Sequence, residues 1–215
     1  MLKKIPLLTF LLFITGNVAL ADMFNETFYI RGDIIGNKFE NTAYYTTREK
    51  FGLKSKENVA LGLGIGYNFF SGLRSEIVAS HHLPIEFIDQ YDKRDHVRAS
   101  ISSLLLRMAY DVMDLDEIRL FAGFGVGAAR VKHKTNTSFT GASIPYNDGN
   151  SSKPKNNFAY NLFLGSSYQM SDNVFLELGY MYADYGNTNK YKLTTSIGRI
   201  GLKSKNVFLG FRLDF

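Results

Sequence analysis

Between Val59 and Phe69 every second residue is large and apolar. Val59, Leu61, Leu63, Ile65, Tyr67 and Phe69 alternate with Ala60, Gly62, Gly64, Gly66 and Asn68. A period of two is the signature of a β-strand whose two faces meet different surroundings. The run has the length at which a tilted strand crosses a bilayer, about 9–11 residues. The alternation recurs along 118–129, 158–169, 174–183 and 207–215, and more weakly along 28–36, 73–82 and 98–110. One face of the clear strands carries Leu, Val, Ile, Phe and Tyr, and the other carries Gly, small polar residues and charges.

A soluble barrel or sandwich turns its apolar face inward and its polar face to water. Here the smaller set, with its glycines and charges, suits the crowded inside, and the large apolar set suits an outside bathed in lipid. A water-facing surface of Leu, Phe and Tyr would aggregate. The mean hydropathy of −0.11 excludes a bundle of membrane helices. Connections alternate between short (70–72, 111–117, 170–173) and long (37–58, 83–97, 131–157, 184–204). Bilayers forbid open sheet edges, so the strands must close on themselves. The sequence therefore predicts an all-β fold, an eight-stranded antiparallel up-and-down transmembrane β-barrel with long extracellular loops. An even strand count puts both termini at the periplasmic end.

The first 21 residues read as a cleaved secretory signal: Lys3 and Lys4, an apolar core from Leu7 to Ile14, and Ala19-Leu20-Ala21 before the cut. Residues 22–215 form the barrel domain. Loss of Lys3 and Lys4 leaves 23 basic against 20 acidic residues, too even a balance for a nucleic-acid binder. The absence of Cys excludes thiolate metal sites and Cys nucleophiles. The four histidines, His81, His82, His96 and His133, show no ligand spacing, so neither metal nor cofactor is expected.

Inward positions of the strands carry Arg31, Asp33, Arg74, Glu76, Arg107, Arg119, Glu177, Arg212 and Asp214. They fall in the periplasmic half, with Arg31 and Asp33 nearest the middle. Every base in the set is Arg, whose planar fork pairs with carboxylates in a fixed geometry. The expectation is a plug that blocks conduction, with no catalytic residue. Outward aromatics sort to the two strand ends, Phe28, Tyr67, Phe69, Tyr110, Tyr168 and Phe215 at one and Phe158, Tyr160, Tyr180 and Tyr182 at the other. Such girdles mark the two membrane interfaces. Arg31-Gly32-Asp33 spells an integrin-binding tripeptide, but alternation with Phe28, Ile30 and Ile34 turns Arg31 and Asp33 into the lumen.

The last strand, Val207, Leu209, Phe211, Leu213 and terminal Phe215 at every second position, resembles the C-terminal signature of bacterial outer-membrane proteins. That resemblance implies the barrel-assembly machinery as a partner. The Gly-x-Gly strands, Gly62-x-Gly64-x-Gly66 and Gly123-x-Gly125-x-Gly127, resemble those of small opacity-like and surface-antigen barrels, and the layout is similar to that of the rickettsial surface adhesins. The resemblance implies an outer-membrane protein, embedded in lipid with its loops outside, that binds a host surface or serum protein. Two other readings are a structural or small-solute, porin-like barrel and a lipid-modifying enzyme at the rim. For the last, His81 faces lipid near the outer rim, opposite Ser100 or Ser102, but the His-x-Ser spacing of the outer-membrane deacylases is absent.

Three of the four long connections are basic, and that at 83–97 is acidic. The candidates for ligand binding are Lys132, Lys134, Lys153 and Lys155 with Phe139 and Tyr146 in the connection 131–157, and Lys190, Tyr191 and Lys192 in 184–204. Lysines would attract an acidic protein region or sulfated glycan, and aromatics would anchor it.

Overall fold

A computed structural model describes residues 27–40, 43–45, 53–69, 72–89, 95–137, 153–189, 191–192 and 197–215. Residues 1–21, which read as a secretory signal in the sequence, lie outside the described residues. The strands are β1 (Thr27–Phe39), β2 (Ala43–Tyr45), β3 (Leu53–Ser55), β4 (Asn58–Asn68), β5 (Leu73–Asp89), β6 (Asp95–Leu115), β7 (Ile118–Thr137), β8 (Lys155–Ser171), β9 (Val174–Asn187), β10 (Tyr191–Lys192) and β11 (Ile197–Asp214). Eight of them, β1, β4, β5, β6, β7, β8, β9 and β11, pair antiparallel in chain order, and β1 closes the ring on β11.

Following opposed residues around the ring gives the geometry. Phe28 faces Tyr67, then Ser75, Met108, Phe124, Leu162, Tyr182 and Lys205, and Lys205 faces Lys38. The path returns to β1 ten residues above its start. Ten residues of about 3.3 Å against eight strand spacings of about 4.8 Å set a strand tilt of about 40° and a backbone radius of about 8 Å.

The faces sort as the alternation requires. Outward Leu63, Ile65, Leu162, Leu164, Leu178 and Phe211 are exposed, while inward Tyr29, Arg31, Glu76, Phe163, Glu177 and Phe208 are buried. Above the lipid band the pattern inverts. Ile85, Phe87, Ala99, Ile101, Val131 and Leu202 are buried inside the wall, while Arg130 and Lys132 are exposed on its outside. The barrel continues there as a soluble one, apolar within and polar without.

The structure corrects the expected connections at both ends of the barrel. The stretches 83–97 and 131–157 are not all loop, because β5 runs to Asp89, β6 starts at Asp95, β7 runs to Thr137 and β8 starts at Lys155. The turn expected over 111–117 shrinks to Asp116-Glu117, with Asp116 at φ 53. A register shift between Asp111 and Met113 had interrupted the alternation. A second shift lies between His82 and Ile85 and accommodates Pro84, whose missing N–H a regular ladder would not tolerate. Asn58 Nδ2 donates to the carbonyls of Leu83 at 2.9 Å and Pro84 at 3.3 Å.

Gly66 shows why the inward face needs glycine. A Cβ there would run into the Tyr29 ring, which is held by donation from its hydroxyl to Glu76 Oε2 at 3.0 Å. Gly66→Ala should therefore lower stability by about 1–3 kcal/mol, as overpacking does. Urea unfolding in lipid vesicles would check it, and an unchanged midpoint would show that Tyr29 can move freely.

Candidate functional site

The lower lumen holds a buried ion network. Glu177, with no exposure, sits at its centre. Its Oε1 accepts from Arg74 Nη1 at 2.7 Å and stands 3.4 Å from Arg212 Nη1, while Oε2 lies 3.3 Å from Arg31 Nη1. Arg31 also reaches Asp33 at 2.7 Å and Glu76 at 2.9 Å. Arg107 bridges Glu76 at 3.3 Å and Asp33 at 3.7 Å, and Arg212 pairs with Asp214 at 3.1 Å. Strand alternation brings these side chains from β1, β5, β6, β9 and β11 to neighbouring heights in one lumen.

Two members escape sequence reasoning. Tyr29 enters through its bond to Glu76. Asp111 reaches Arg74 at 3.4 Å, turned inward just before the register shift in β6. Arg119, expected in the plug, stands apart. It pairs with Asp114 at 3.4 Å, with side chains 34% and 64% exposed, and lines a periplasmic vestibule of about 810 Å³ beneath the network. Its place at the first rungs of β7 leaves it at the mouth.

Aromatic rings cover the guanidinium groups. Arg107 lies 4.1 Å from the centre of the Phe163 ring, Arg212 4.1 Å from that of Phe175, and Arg74 4.8 Å from that of Phe121. Phe121, Phe163 and Phe208 join Ile35 and Met181 in an apolar cluster that abuts the ions, with Phe121 opposite Asp111 at the level of the network and Ile35, Met181 and Phe208 rising above it. A further apolar cluster fills the outer end, where Phe39 and Tyr185 pack edge-on or tilted against each other and His82. The lumen is thus closed by charges below and by hydrocarbon above. Arg31 and Asp33 are each 4% exposed, so the Arg-Gly-Asp tripeptide is sealed inside.

The binding candidates are placed unevenly. Lys132 and Lys134 are on β7, opposite Ser100 and Arg98. Lys155 starts β8 opposite Val131, and Lys153 precedes it, exposed. Tyr191 and Lys192 form β10 against Gly198 and Ile197. Phe139, Tyr146 and Lys190 lie outside the described residues. On the same extracellular wall Glu86 accepts from Arg98 Nε at 2.9 Å and from Lys56 Nζ at 3.0 Å, and these bonds hold its carboxyl below the usual carboxylate range. At the outer rim His81 Nδ1 and Ser102 Oγ are 2.9 Å apart, but no carboxylate stands opposite either residue to orient the imidazole.

A family model described as "Outer membrane protein beta-barrel domain" matches residues 7–204. The chain belongs to this outer-membrane β-barrel family. Two relatives, each named "Putative adhesin", come from Rickettsia felis, 31% identical over 90% of this chain and 89% of the relative, and Rickettsia akari, 30% identical over 94% and 93%. Among solved structures, neisserial surface protein A aligns with TM-score 0.56 at 18% identity over 87% of this chain and 97% of that one. OprG of Pseudomonas aeruginosa aligns with TM-score 0.56 at 19% identity over 88% and 95%. The protein is thus an outer-membrane barrel by family and by fold.

Proposed function

We propose that the barrel is a surface adhesin that captures an acidic region of a host surface or serum protein by non-covalent binding at its extracellular end. The observation that carries this reading is the packed wall above the lipid band. From the pair Ser102–Arg130 to the pair Asp95–Thr137 the β6–β7 hairpin continues for seven more residues on each strand, a rise of about 17 Å at the strand tilt. Its inside is filled by Phe39, Ile85, Phe87, Ile101, Val131 and Leu202. A barrel needed only to span lipid has no use for a solid extension, whereas a binding surface gains from a rigid support.

The extension carries Lys134 on β7 three residues from its last pair, Lys155 at the first rung of β8 with Lys153 just before it, and Lys192 in β10. The adhesin names of the rickettsial relatives support the same reading. Changing these four lysines to Glu should slow association with host cells or serum proteins about tenfold or more at low salt, because steering by charge acts on encounter. The gap should narrow as salt rises and the Debye length falls. A soluble Arg-Gly-Asp peptide should not compete. Equal association of the variant and parent barrels across the salt series would overturn the proposal.

A further inference from the structure

On the outer wall, directly opposed residues form rows that cross several strands. One row, Ala79, Leu104, Ala128 and Phe158, is wholly apolar. Two residues higher the row reads His81, Ser102, Arg130 and Asn156, and above it Ser100 faces Lys132. Each step rises about 5 Å along the barrel axis. Because the strands tilt, each row also climbs about 3 Å per strand from β5 to β8, so the hydrocarbon edge crosses the rows obliquely, with His81 and Ser102 at that edge and Ser100, Arg130, Lys132 and Asn156 at the depth of lipid headgroups.

The charges there are unbalanced. Arg130 and Lys132 are exposed and have no ion-pair partner among the described residues. Three other cations of the upper wall are paired: Lys205 with Glu40 at 3.4 Å, Lys203 with Asp184 at 3.9 Å and Arg98 with Glu86 at 2.7 Å. Around Arg130 and Lys132 stand neutral hydrogen-bonding groups, the Ser102–His81 pair, Ser100 and Asn156. Neither row contains a carboxylate.

We infer that this face of β5–β8 is a binding site for a phosphate-bearing glycolipid of the outer leaflet. Arg130 offers a planar fork that matches two phosphate oxygens, and Lys132 a point charge one row higher. His81, Ser100, Ser102 and Asn156 hydrogen-bond the sugar hydroxyls. The apolar row beneath receives the acyl chains. The polar row spans four strands, about 14 Å, the breadth of a phosphorylated disaccharide and too wide for a single glycerol phosphate. Anionic headgroups and interfacial cations attract one another most strongly within a Debye length of the surface. Lys132 thereby belongs to the membrane interface, and the lysines higher on the wall remain for a host ligand.

The test uses the full barrel in phosphatidylcholine nanodiscs, titrated with bisphosphorylated lipid A and read by native mass spectrometry. The parent barrel should retain lipid A, and the double variant Arg130→Gln/Lys132→Gln should weaken retention at least tenfold. Lys38→Gln/Lys205→Gln, on the opposite wall, should retain it like the parent. Dephosphorylated lipid A should bind the parent as weakly as lipid A binds the double variant. Slower gel migration after boiling confirms that each variant is folded. Equal retention by the parent and the double variant would overturn the site. Phosphatidylglycerol retained as firmly as lipid A would overturn the glycolipid, and displacement by millimolar inorganic phosphate would overturn a lipid occupant altogether.

Discussion

Glu177→Ala should destabilise the barrel by about 3–5 kcal/mol, because it leaves buried charge without a counter-ion. Glu177 is fully buried and contacts Arg74 at 2.7 Å, Arg31 at 3.3 Å and Arg212 at 3.4 Å. Arg31 would keep Asp33 and Glu76, Arg212 would keep Asp214, and Arg74 would keep only Asp111. Arg74 therefore suffers most, wedged between that carboxylate and the Phe121 ring. Glu177→Gln preserves shape and one hydrogen-bond acceptor but not the charge, so its loss should be intermediate. The chain has no Trp, so unfolding in urea would be followed by circular dichroism in vesicles. A loss below about 1 kcal/mol for the alanine variant, the size of a surface ion pair, would mean that the network is solvated rather than dry.

The fold was readable because lipid demands one rule of every strand. Leu61, Leu63 and Ile65 must all point outward, and no single-residue slip satisfies them. The reading failed where the solvent outside the wall changes from hydrocarbon to water. In β6, Leu104 and Leu106 point out, whereas Ala99 and Ile101 point in. The period of two continues unbroken, but its apolar phase moves to the other face, and so 83–97 and 131–157 read as loops. Arg-Ala-Ser-Ile-Ser over 98–102 is an ordinary strand of a soluble barrel.

The site was legible to a similar degree. Arg31, Asp33, Arg74, Glu76, Arg107, Glu177, Arg212 and Asp214 meet in one network because alternation fixes the face and distance from the turn fixes the height. Arg119 follows the same parity but stands at the vestibule, where a half-exposed side chain pairs locally with Asp114. The phenylalanine layer was hidden because Phe121, Phe163 and Phe208 share the inward face with glycines. In sequence they look like further members of an aromatic-rich strand, while in space each fills the room that Gly123, Gly165 or Gly179 leaves open.

In planar bilayers the purified barrel should give no stable conductance steps. Eight strands returning with a ten-residue shift enclose a cylinder with a backbone radius of about 8 Å, which side chains can fill. Here they fill it with two kinds of barrier. The ion network occupies the lower lumen with Arg31, Glu76, Arg107 and Glu177, each no more than 4% exposed. Above it Ile35, Met181 and Phe208, and higher still Phe39, Ile85, Ile101 and Leu202, close the bore with hydrocarbon, where a bare ion would shed its hydration without any replacement. Because the barriers are stacked, opening one does not open the other. Phe208→Ala should therefore remain silent as well, its ion layer intact. Long-lived, large steps from the parent barrel, absent from a mock preparation, would disprove the stacked closure and restore the small-solute, porin-like reading. Silence from both proteins leaves the outer surface and the extracellular end as the places where this barrel meets other molecules.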